Sequence, residues 1–80
     1  MYYVGIDIAK KTNVTSIIDE SDVFIKKSFK FNNDEKGFKE FIDLLSSIDK
    51  NINNFIIAME ATGLLFENLY LYLKSKEYNV

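Results

Sequence analysis

One acidic residue lies within an apolar segment and another directly follows one, where a charged side chain needs an explanation. Asp7 lies in the apolar segment from Tyr2 to Ile8, and Glu60 directly follows the segment from Phe55 to Met59. An ionised carboxylate in apolar surroundings is costly unless it has a partner or binds a metal. Carboxylate oxygens are the ligands that Mg²⁺ and Mn²⁺ favour in proteins. If the fold brings the two segments together, we therefore expect a shared divalent-metal site.

The hydrophobic pattern predicts the strands that would position these acids. Short apolar and β-branched runs predict strands over residues 2–8, 13–19, 23–31 and 55–59. The first and the last of these are expected to be buried, the last on both faces. In the third strand, one face is expected to carry Val23, Ile25, Phe29 and Phe31, and the other face Lys26, Ser28 and Lys30.

Two amphipathic helices are predicted from apolar residues at helical spacing. The first runs from about Asp34 to Asp49. The second is expected to follow a Thr62 cap, with a core stripe of Leu65, Phe66, Leu69 and Leu73. Residues 78–80 resemble the start of a further strand.

This order of elements predicts an α/β fold with a mixed sheet. Three consecutive strands form an antiparallel meander, and a fourth strand joins it in parallel through a right-handed helical crossover. The order β-β-β-α-β-α, with the start of a further strand, is similar to the front half of a ribonuclease-H-like fold. Residues 1–80 are therefore expected to form a single, partial domain of that class.

The composition excludes several kinds of metal site and catalysis. The 80 residues include no Cys and no His, which excludes thiolate zinc sites, disulfides and imidazole catalysis. The net charge of -2 argues against a surface that binds nucleic acid mainly through charge, so such contacts are expected to be local or supplied by a partner. No leader-like segment or bilayer-length apolar run is apparent, so a cytoplasmic protein without a membrane partner is expected.

Two short segments carry a resemblance to a known family. The segment from Tyr3 to Lys10 (YVGIDIAK) and the segment from Met59 to Gly63 (MEATG) are similar to the N-terminal signatures of certain insertion-sequence transposases. These transposases are named for an Asp-Glu-Asp-Asp tetrad and include the Piv-type DNA invertases, and their N-terminal domain resembles the RuvC Holliday-junction resolvase. The chain departs from the usual pattern at Asn13, Leu65 and Glu77.

The resemblance implies roles for both acids and a set of partners. Asp7 and Glu60 correspond to the first two acids of the tetrad, and the other two would lie beyond Val80. The family implies DNA as substrate, a structured guide RNA, Mg²⁺ or Mn²⁺ as cofactor, and a separate C-terminal region with a serine implicated in strand cleavage and rejoining. We therefore expect the chain to be a truncated part of a DNA transposase or recombinase, inactive by itself.

Three further residues are candidates for nucleic-acid contact. Lys10 follows the Asp7 strand, and Gly63, beside the Thr62 cap, would expose helix N-terminal amides to a phosphate. An exposed turn lysine and ordinary helix-start geometry explain Lys10 and Gly63 equally well or better. The group of Lys26, Lys27 and Lys30 is expected to be a solvated strand face.

Two other functions remain open on the sequence. Sugar kinases and actin-like proteins also begin with a Gly-Ile-Asp strand, but their phosphate-binding turn needs a Gly soon after the Asp, and residues 8–12 contain none. A non-catalytic interaction domain, or a remnant, would use Asp7 and Glu60 only for local hydrogen bonds. Such a domain would self-associate as a homo-oligomer through an unpaired strand edge.

Overall fold

The computed structural model describes residues 1–59 and 65–80. Within them, the strands are β1 (Tyr2–Asp7), β2 (Thr12–Asp19), β3 (Phe24–Asn32) and β4 (Phe55–Met59). The helices are α1 (Glu35–Ile48) and α2 (Leu65–Ser75), and a short 3-10 turn (Ile52–Asn54) precedes β4. No helix in this part of the chain is both long and apolar enough to cross a membrane.

The strands form a mixed four-stranded sheet in the order β3-β2-β1-β4. β1 pairs antiparallel with β2 and parallel with β4, and β2 pairs antiparallel with β3. Beyond β4, Asn79 forms a parallel bridge with Ile56, and its carbonyl accepts a hydrogen bond of 2.9 Å from the Ile57 amide. The predicted meander, parallel fourth strand and start of a further strand are confirmed, as is the α/β class.

The core lies between one face of the sheet and the two helices, and this face is named the closed face. Val4 and Ile6 of β1 and Phe55 and Ile57 of β4 are buried there. Among the described residues, the helices add the buried side chains of Phe38, Phe41, Leu45, Leu69 and Leu73, and Tyr78, just beyond α2, is also buried. The rings of Phe31 and Phe41 stack at 4.6 Å between centroids and fix α1 against β3.

The opposite face of the sheet, named the open face, is uncovered by any described element. Along β1, Tyr3, Gly5 and Asp7 are exposed, and along β4 so are Ile56 and Ala58. The predictions that β1 is a buried strand and that β4 is covered on both faces were therefore wrong. Both faces of β4 carry apolar residues, but only one face is buried and the other meets solvent.

β3 departs from strict alternation because its pairing with β2 is interrupted twice. Thr15 pairs with Phe29, but Ile17 pairs with Lys26 and Ile18 with Phe24, so β3 contains an extra residue at each step. Such bulges change the face to which the following side chains point. The predicted face of Val23, Ile25, Phe29 and Phe31 was therefore wrong: Phe31 is buried, Phe29 is half-buried, and Val23 and Ile25 are 54% and 40% exposed.

The start of α1 is fixed by a cap and a close packing contact. The Asp34 carboxylate accepts a hydrogen bond of 2.7 Å from the Gly37 amide, which is the expected N-cap arrangement. A Cβ atom placed on Gly37 would lie 2.0 Å from the Asn32 carbonyl oxygen. The helix therefore begins directly against the end of β3, and the prediction of a helix from about Asp34 to Asp49 is confirmed.

Candidate metal centre

Asp7 is the last residue of β1 and lies at the edge of the open face. It pairs with Val14 of β2, and the preceding residue, Ile6, pairs with Met59 of β4. The side chain is exposed and lines an open depression of about 490 Å³. The same depression is lined on the open face by Gly5, Val14, Ser16 and Lys27.

Glu60, Thr62 and Gly63 lie outside the described residues. In the sequence, Glu60 directly follows Met59, the last residue of β4. Because Met59 is the parallel partner of Ile6, the described strands bring the positions that precede the two acids side by side. The sequence-based expectation that the two strands are parallel neighbours is thus confirmed, while ligation by Asp7 and Glu60 stays a prediction.

The Asp7 carboxylate is available for a ligand within the part of the chain that the structure describes. The ion pair found there joins the Met1 amino group to Glu20, at 2.8 Å, on the far side of the β1–β2 pairing from Asp7. Among these same residues, no three acidic side chains form a group that could hold a metal. Asp7 therefore supplies one carboxylate, and a divalent cation would need further oxygen ligands.

The segment after Asp7 is held by polar contacts that the sequence did not suggest. The Ala9 amide donates a hydrogen bond of 3.2 Å to Asn13 Oδ1, and Asn33 Nδ2 donates one of 3.2 Å to the Ala9 carbonyl. Thr15 Oγ1 donates to the Gly5 carbonyl at 2.9 Å, which secures β1 two residues before Asp7. Asn13 was visible in the sequence only as a departure from the family pattern, yet it is fully buried and orients this turn.

Lys10 and Lys27, both near this end of the sheet, have different surroundings. Lys10 is exposed and lines a depression formed with Asn32, Asn33 and Asp34, separate from that of Asp7. Lys27, which the sequence placed on a solvated face, borders the Asp7 depression. Regular alternation could not indicate this position, because the bulges in β3 determine it.

The strand order, the helical crossover and the acidic residue that ends β1 define the front half of a ribonuclease-H-like domain. The sequence identifies the particular family. The model of the DEDD transposase family of the IS110 type matches residues 4–80, and the chain belongs to this family. The resemblance inferred from the two signature segments is confirmed. A search of curated proteins gives no significant match.

Proposed function

We propose that this transposase-family chain contributes Asp7 and Glu60 to a divalent-metal site for DNA strand cleavage and transfer. The observation that carries the proposal is the parallel register of β1 and β4, in which Ile6 pairs with Met59, directly before the two acids. The family match over residues 4–80 supports the class of reaction. Mg²⁺ or Mn²⁺ is the expected cation because carboxylates and water are its preferred ligands.

The proposed roles follow from the chemistry of the ligands. A bound divalent cation would orient the scissile phosphodiester and stabilise the charge that develops in the transition state. Asp7 would hold one coordination position from a strand that is paired on both sides, which limits its movement. Glu60 would approach from the neighbouring strand, and two further acids, by family resemblance, would come from beyond Val80. The guide RNA, the C-terminal region and a homo-oligomer stay predictions.

The residues present fit such a cation only in part. The Asp7 carboxylate is exposed, borders an open depression and is not in an ion pair with any described residue. One or two carboxylates leave most positions of a Mg²⁺ ion to water, so we expect weak binding by the chain alone. For the same reason we expect no DNA cleavage or recombination by residues 1–80 alone.

A paramagnetic probe tests the site. In ¹⁵N NMR spectra of the chain, Mn²⁺ at low molar ratio should broaden the amide signals around Asp7 and Met59 before those of α1. Asp7→Asn should abolish this selective broadening. Asp43→Asn, which removes an exposed carboxylate on α1, is the matched control and should leave it unchanged. Equal broadening in the Asp7→Asn variant would refute the proposed site.

An activity assay tests the expectation that the chain is incomplete. Supercoiled plasmid and oligonucleotide substrates incubated with the chain and Mg²⁺ should remain intact. Cleavage that requires Mg²⁺ and disappears in Asp7→Ala would show that no further acids are needed, and it would contradict the proposed sharing of the site.

A further inference from the structure

The open face of the sheet is organised in rows of distinct chemistry. Paired residues of adjacent strands point to the same side, so each row can be traced across the sheet. The row furthest from Asp7 is apolar and contains Ile56, Tyr3, Ile18 and Phe24. The middle row consists of small residues, Ala58, Gly5 and Ser16. The last row contains Asp7, Val14 and Lys30.

Two lysines border the small-residue row on the side of β3. Lys30 pairs with Val14, the partner of Asp7, and so lies on the open face. Lys27 lines the same depression as Gly5, Asp7 and Ser16. In a regular strand, residues 27 and 30 would point to opposite faces, and it is the irregular pairing of β3 that brings both to one side.

From this arrangement we infer that the open face binds a single DNA strand, with Lys27 and Lys30 contacting its phosphates and the rings of Tyr3 and Phe24 stacking against its bases. The inference rests on the proposed function, because it assigns the surface that leads the DNA to Asp7. Lysines beside exposed aromatic rings are the combination by which proteins hold single-stranded nucleic acid.

The shape and exposure of the surface suit this occupant. Phe24 and Tyr3 are 52% and 44% exposed, a large fraction for aromatic rings. The Lys27 ammonium lies 6.0 Å from the centroid of the Phe24 ring, so a cation and a stacking surface are adjacent. A Cβ atom on Gly5 would meet only Ser16 Oγ, at 3.8 Å, so the middle of the face has space above the backbone.

The charge distribution favours a polyanion on this face despite the negative net charge. Lys27 forms no ion pair with Asp7 or another described acid within salt-bridge distance. Asp19 ends β2, and Glu20 and Asp22 lie in the turn that follows it, at the opposite end of the β1–β2 pairing from Asp7. Among the described residues, phosphates near Asp7 would therefore meet the ammonium groups of Lys27 and Lys30 and the Asp7 carboxylate, whose charge a divalent cation would offset.

The test measures DNA binding without metal. The chain is titrated in EDTA with a 12-nucleotide single-stranded DNA, and binding is followed by ¹⁵N chemical shifts at several salt concentrations. Shifts should concentrate on β1, β2 and β3, with few on α1. The Lys27→Gln/Lys30→Gln double variant should lower the slope of log K against log salt by about 1.4, since each single-strand phosphate contact contributes about 0.7.

The matched control is the double variant Lys36→Gln/Lys39→Gln, which makes the same change in net charge on the exposed surface of α1. It should leave the salt slope unchanged. Equal losses in the two double variants would reduce the effect to net charge and overturn the inference. So would shifts confined to α1, or the absence of binding by the wild-type chain at 20 mM salt.

A second pair of variants tests the stacking contact. Phe24→Leu keeps an apolar side chain but removes the ring, and it should weaken binding at least about fivefold. Tyr70→Leu, which removes an exposed ring from α2, should have no effect. Unchanged affinity in Phe24→Leu would overturn the stacking role.

The experiments distinguish failure of the DNA-binding surface from failure of the metal site. Asp7→Asn should not weaken binding in EDTA, because it removes a negative charge from the DNA-binding face. If Asp7→Asn loses Mn²⁺ while the lysine variants bind DNA normally, the proposed function stands and this inference fails. If the lysine variants lose DNA while Mn²⁺ binding does not depend on Asp7, the surface stands and the metal site fails.

Discussion

Replacing Gly37 by Ala tests whether the junction of β3 and α1 is as close as the structure shows. At an exposed helix position this change would stabilise the protein by about 1 kcal/mol, because Ala has a higher helix propensity than Gly. Here the new Cβ would lie 2.0 Å from the Asn32 carbonyl oxygen and 2.7 Å from two other backbone atoms of Asn32. Contacts below 3.0 Å force a displacement, so the helix must move about 1 Å away from the strand.

The expected cost follows from these opposing effects. Overpacking of this kind costs about 1–3 kcal/mol, and the backbone position of the contact places it at the upper end, so about 2 kcal/mol remains after the gain in propensity. The total stability expected of 80 residues is about 4–12 kcal/mol, so the melting temperature should fall by roughly 8–16 °C.

Circular dichroism during thermal and urea unfolding measures this change. Glu40→Ala, at an exposed position of the same helix, is the control and should alter the free energy of unfolding by less than about 0.5 kcal/mol. A Gly37→Ala variant as stable as the wild type would refute the close packing of α1 against Asn32.

Two further predictions concern the helix cap and a buried tyrosine. Asp34→Ala should lower the free energy of unfolding by about 1 kcal/mol, measured by urea denaturation, because the Gly37 amide loses its acceptor, whereas Asp34→Asn should retain most of the stability. Burial raises the pKa of Tyr78 above its ordinary value of 10.0, against the opposing effect of the Ser46 hydroxyl. The protonated phenol therefore favours the folded state fully below about pH 10, and this contribution is lost as the pH rises through the folded pKa. Urea midpoints at pH 9 and 11 should differ more in the wild type than in Tyr78→Phe, and equal differences would contradict the shift.

The sequence predicts the elements of this fold well because their signals are local. Apolar residues at helical spacing and an acidic cap determine α1, and the strand runs determine the sheet order through the handedness of the crossover. The stripe of α2 is confirmed at Leu69 and Leu73, which are buried, while Phe66 is half-buried. The proposed Thr62 cap lies outside the described residues.

Side-chain direction in β3 was not predictable from alternation. Each irregular step in the pairing with β2 reverses the face of the residues that follow, and a bulge has no fixed sequence pattern when it contains no Gly. The expectation that Lys26 and Lys30 share a face fails for this reason, since Lys26 pairs with buried Ile17 and Lys30 with Val14. Only the structure shows that Lys27 borders the depression that Asp7 lines.

The exposure of Asp7 changes the physical reason for assigning it a function. The sequence predicts a carboxylate buried at a cost in an apolar strand, but the Asp7 side chain meets solvent and carries no such cost. The proposed role of Asp7 now depends on its position. Asp7 ends β1, and the parallel partner β4 ends at Met59, which directly precedes Glu60 in the sequence. The match to a transposase family over residues 4–80 supports the same role. An exposed acid at the end of a central strand is also accessible to a metal and a phosphate together, as metal-assisted strand transfer requires. The open face is therefore the part of the molecule on which the metal and DNA experiments should concentrate.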